Sequence, residues 1–182
     1  RLMAVDDDGM MSWKRIGQLV PGDRLVMKLG GWLGGTLERV DRIATEFAGT
    51  GADSQLLSAD EGAICDLLRR AFSDHGWIST AGVVSLECGS EKLGHDIQTM
   101  LFYLGVPTVL SHSSLTICTR SGLQTFREKI GFDSKVLSAR LASVDLDAMA
   151  RELEAMGEAH DEPDEEGHYF VTVKQVLPQG KR

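Results

Sequence analysis

The sequence predicts an α+β fold, and three observations lead there. Apolar residues between Gly62 and Arg140 follow helical and strand periods in turn. Short strand-like runs stand at both ends of the chain. Glycine, proline and aspartate mark nearly every boundary between these segments.

At the N-terminal end, Leu2 to Val5 and Met10 to Trp13 flank Asp7-Asp8-Gly9, where Asp-Gly supplies the positive φ angles of a tight hairpin. Leu19-Val20 meets a second turn signal, Pro21-Gly22-Asp23, before the run Arg24 to Met27. A meander this short does not make a domain. Its partners are expected in the strand-like runs His168 to Val173 and Gln175 to Leu177, so residues 1–29 and 168–178 should lie together as one β-rich unit. Gly30 to Gly35 reads as a boundary loop. It lacks the spacing and the Lys-Ser/Thr ending of a phosphate-binding loop.

The middle of the chain is better organised. Ser58 and Glu61 form a capping box ahead of Ile64, Leu67, Leu68, Ala71 and Phe72, which share one helix face, and Gly76 ends that helix. Trp77 to Thr80 and Val83 to Cys88 flank Ala81-Gly82 as a hairpin. Ser90 caps a second helix carrying Leu93, Ile97, Met100, Leu101 and Leu104, which Gly105 and Pro107 end. The pattern then repeats: Thr108 to Ser111 and Leu115 to Thr119 make a hairpin, and Ser121 with Gln124 caps a helix bearing Leu123, Phe126 and Ile130. The predicted order is helix, hairpin, helix, hairpin, helix, with four strands in one antiparallel sheet that helices cover. Two further helical spacings follow, through Val136 to Val144 and Leu146 to Met156. Asp161 to Gly167 then reads as a solvated linker.

Composition bounds the function. With 182 residues, 42% apolar and 25% charged, the chain is a globular protein, and no apolar run reaches the ~20 residues of a membrane span, so a cytoplasmic location is expected. Cys65, Cys88 and Cys118 are odd in number and far apart, which suggests buried thiols rather than disulfides or a zinc site. A net charge of −8 disfavours binding to phosphate, but ten of the acids lie between Asp145 and Glu166 against Arg151 alone. From Gly62 to Arg140 the basic residues roughly balance the acids. DNA binding by the middle segment therefore remains open.

Leu67 to Ile78, L-L-R-R-A-F-S-D-H-G-W-I, resembles the second motif helix of LAGLIDADG (DOD-type) homing endonucleases found in inteins, with its terminal glycine and following strand. Glu91 to Gln98, with Leu104-Gly105-Val106-Pro107, is similar to the family's second helix and its exit, and Phe126 to Phe132 to its third. Arg1 to Asp23 resembles a splicing (Hint) domain segment, and His168 to Gly180 its return strands. The resemblance implies a partial splicing-domain edge and linker at 1–35, a homing-endonuclease-like domain at 36–157, and an acidic linker with return strands at 158–182. Arg1 is not a splicing nucleophile and the terminal His-Asn is absent, so the chain as it stands is not expected to splice. Its host protein is not legible in the sequence.

By the same resemblance, the protein binds double-stranded DNA through its sheet and cuts it with Mg²⁺ held at the end of the motif helix, two such helices packing together. Only one repeat is evident, so cleavage implies a homodimer through the helix at 60–75. The implied catalytic positions are Asp74, His75 and Gly76, with Asp74 as the metal ligand. His75 stands where the family has its acid, and neutral imidazole is a poor ligand for a hard ion. Strand alternation sets Leu86, Cys88, Leu115 and Ile117 inward. It leaves Ser85, Glu87, Thr116, Cys118 and Arg120 to face DNA, with Trp77, Ser79 and Lys135 as further contacts. Three functions remain open: a DNA endonuclease module, active or degenerate; a non-cleaving regulatory DNA-binding protein of the same fold; and a passive intein insert.

Overall fold

The computed structural model describes residues 2–5, 9–30, 61–158 and 160–176. The expected turn at Asp7-Asp8, the loop from Gly31 to Gly35, the cap at Ser58 and the end of the last strand at Leu177 lie outside the described residues. The chain is α+β, with two antiparallel sheets in two compact units, residues 1–29 with 163–182 and residues 30–162.

The first unit is a four-stranded sheet of β1 (Leu2–Val5), β2 (Met11–Lys14), β3 (Arg24–Lys28) and β8 (His168–Thr172), in the order β2-β1-β3-β8. Leu25 pairs with Val171 and Met27 with Tyr169, so β3 and β8 are antiparallel neighbours although 138 residues lie between Leu29 and His168. Gln175 and Val176, read as a strand from sequence, lie outside regular structure. Asp23 closes the turn before β3, accepting from Lys14 Nζ at 2.9 Å and from the Val20 amide at 3.0 Å. The described core here is small: Ala4, Leu29 and Tyr169 are buried, while Met10, Trp13, Ile16 and Val20 are exposed.

The second unit follows the expected order: α1 (Glu61–His75), β4 (Gly76–Ile78), β5 (Val84–Glu87), α2 (Glu91–Tyr103), β6 (Thr108–Ser111), β7 (Ser114–Ile117) and α3 (Arg120–Thr125). A π-helical turn, Phe126–Ile130, continues α3, and α4 (Lys135–Ala142) and α5 (Leu146–Met156) close the unit. The sheet order is β4-β5-β7-β6. Ile64, Leu67, Leu68 and Phe72 of α1 and Ile97, Met100 and Leu101 of α2 bury their apolar stripes with Ile78, Leu86, Leu115 and Ile117 of the sheet, in one core. Gly94 lets α2 approach β6, since a Cβ there would lie 2.6 Å from a Leu110 methyl.

Two sequence readings of this unit need correction. Thr119, not Ser121, caps α3: its backbone is still extended (φ −135°, ψ 155°) and its hydroxyl accepts from the Gly122 amide at 3.0 Å. The segment from Asp161 is not merely a solvated linker, because Glu162 accepts from the Arg120 amide at 2.6 Å and from Ser121 Oγ at 2.6 Å.

Candidate nucleic-acid interface

Helix α1 ends as its residues dictate. A Cβ at position 76 would lie 2.4 Å from the Phe72 carbonyl oxygen, so only glycine lets the chain pass from α1 straight into β4. Asp74 and His75, in the last turn, are exposed. Buried side chains occupy one side of α1, and Glu61, Asp66, Arg70 and Asp74 lie exposed, a charged surface toward any second copy. Arg69 is used within the unit. Its Nε donates to the Ile130 carbonyl at 2.6 Å and its Nη2 to that of Lys129 at 3.3 Å, satisfying the end of the π-helical turn.

The donor chemistry at this helix end does not fit Mg²⁺. Asp74 is one carboxylate beside an imidazole, and no group of three His, Cys, Asp or Glu side chains among the described residues is placed to hold a metal ion.

The register settles which predicted DNA contacts share a face. One cross-strand row runs Trp77, Ser85, Thr116, Val109, opposite in parity to Leu86 and Leu115, as alternation predicts. The expectation that Ser85 and Thr116 are open to solvent is overturned. Each is only 4% exposed, and their hydroxyls lie 3.2 Å apart in a hydrogen bond. They are the two short side chains of the row, between Trp77 and Val109 on the flanking strands, and they satisfy each other. Cys118, also expected outward, is 2% exposed, because the chain leaves β7 toward α3 with the Cys118 amide bonded to the Pro107 carbonyl. Burial pushes the Cys88 thiol up to about 12, with the Glu87 charge acting the same way.

The remaining predicted contacts divide between the two ends of the sheet. β4 and β7 both run antiparallel to β5, so Ser79 and Arg120 leave the sheet at the same end. Asp74, His75 and Gly76 stand at the other end, where Glu87 is exposed and accepts from Ser113 Oγ at 2.6 Å. Trp77, on the edge strand, is 43% exposed, and Lys135 begins α4 in the open. Arg120 pairs with Asp147 at 2.8 Å, and Ser79 Oγ donates to Glu152 at 3.0 Å. Sequence reasoning missed Glu162 and these two acids of α5, since nothing local ties them to residues 27 to 73 positions away.

No protein-family model matches the chain, and no curated protein matches it. Among the described residues, no helix is long and apolar enough to cross a membrane.

Proposed function

We infer that the second unit is the homing-endonuclease-like insert of an intein, a LAGLIDADG-type module that keeps the fold and binds duplex DNA without cutting it. The observation that carries this reading is the nesting of the two units. The sheet of the first unit is interrupted between neighbouring strands β3 and β8, and the inserted unit has the helix, hairpin, helix, hairpin, helix order of the resemblance. The end of α1 supports loss of cleavage, since its last turn carries His75 where the resemblance has an acid, with the exposed Asp74 as that turn's one carboxylate.

The test is incubation of the unaltered chain with a randomised duplex library and Mg²⁺, followed by sequencing of new ends. The reading expects no cutting above background, whereas efficient Mg²⁺-dependent scission would overturn the loss of cleavage. The passive-insert reading is favoured by one observation, the burial of Ser85, Thr116 and Cys118, and it expects no retention of duplex DNA at low salt.

A further inference from the structure

Three carboxylates of the acidic C-terminal part of the second unit converge on the end of the sheet where Ser79 and Arg120 emerge. Glu152 accepts from Ser79 Oγ, and Asp147 pairs with the Arg120 guanidinium. The Glu162 carboxylate accepts three bonds, from the Arg120 amide at 2.6 Å, the Ser121 amide at 3.1 Å and Ser121 Oγ at 2.6 Å. Two of the contacted residues, Ser79 and Arg120, are among those that the resemblance implies as DNA contacts.

We propose that this acidic segment is autoinhibitory, its carboxylates occupying the groups that a backbone phosphate of duplex DNA would otherwise take. The inference rests on the DNA-binding reading above. A carboxylate and a phosphate oxygen make the same charge-assisted bonds to a guanidinium, a hydroxyl and an amide, so the two compete directly. The Asp147 and Glu162 contacts are exchangeable because they are open to water: Arg120 and Asp147 are 50% and 66% exposed, and exposed pairs of this kind hold weakly. The α5 helix itself is fixed by the burial of Met149 and Leu153. Release therefore involves the acid side chains and the segment after Gly157, not loss of the helix. Autoinhibition also accounts for a binding module with an overall charge of −8.

The experiment is a fluorescence-anisotropy titration of a mixed-sequence DNA duplex with the unaltered chain, with the double variant Asp147→Asn and Glu162→Gln, and with a control, Glu91→Gln and Glu128→Gln. The control removes the same charge from exposed sites elsewhere on the unit. The inference expects the Asp147/Glu162 variant to bind about tenfold tighter than the unaltered chain near ~50 mM salt, with a steeper salt dependence, and the control to bind nearly as the unaltered chain does. Equal tightening by both variants would assign the effect to net charge and overturn autoinhibition while leaving DNA binding intact. Equal binding by all three proteins would do the same. Absence of binding by all three would overturn both the inference and the DNA reading. Should the double variant fail to fold, hydrogen exchange on the unaltered chain decides. Saturating duplex is expected to speed exchange in residues 160–164, and unchanged exchange there would contradict the inference.

Discussion

Single side chains decide how α1 is held in the second unit. Gly76 is fixed by the Phe72 carbonyl, so Gly76→Ala should cost about 2 kcal/mol or more in urea denaturation, and a neutral effect would mean that the helix end relaxes freely. Arg69 is tied into its own unit, since the guanidinium reaches two carbonyls at the end of the π-helical turn. Arg69→Lys should therefore destabilise, because an ammonium cannot serve both carbonyls through a fixed fork. The thiols give a second test at this scale. Cys65, Cys88 and Cys118 are buried, and burial is the main cause that raises the first two above the usual thiol range. None should react with a maleimide near neutral pH until the protein is unfolded, and labelling of the native chain would contradict the burial.

At the scale of elements, the caps show how far a sequence can be read. Ser90 was legible because its hydroxyl accepts from Leu93, three residues on. The choice between Thr119 and Ser121 was not, because it depends on where the extended backbone of β7 ends and on Glu162, 41 residues downstream, which takes the Ser121 hydroxyl. Alternation likewise gave the face of Ser85 and Thr116 but not its exposure. Parity is local, whereas burial depends on what neighbouring strands place beside a side chain. Thr119→Ala should lower stability by about 1 kcal/mol.

The acidic caps add a pH dependence. Asp145 accepts from the Asp147 and Ala148 amides, and these bonds hold its carboxyl below the usual range. The bond from Lys14, with that from the Val20 amide, does the same for Asp23, and the bond from the His168 amide for Asp164. A carboxyl lowered in the folded state contributes stability that is fully present above its unfolded value, near 3.8, and is lost as pH falls through the lower folded value. Stability should therefore drop in acid. Asp145→Asn, which keeps a cap without the charge, should flatten the α5 part of that drop when helix content is followed by circular dichroism.

For the molecule as a whole, the arrangement that matters is one unit's sheet being interrupted by another unit with its own core. The order of elements in that second unit was legible because each helix and strand carries its own period and its own stop. The contacts of Arg120 with Asp147 and of Ser79 with Glu152 were not, because they join the acidic segment to residues far away in the chain. A DNA-binding module without nuclease chemistry is the central claim, and one measurement tests it most directly. It is the affinity of the unaltered chain for duplex DNA as a function of salt, with the DNA recovered afterwards from parallel samples with and without Mg²⁺. The account predicts weak binding that falls steeply as salt rises, with the recovered strands intact in both cases. Strands cut only where Mg²⁺ was present, or no binding even at the lowest salt, would contradict it.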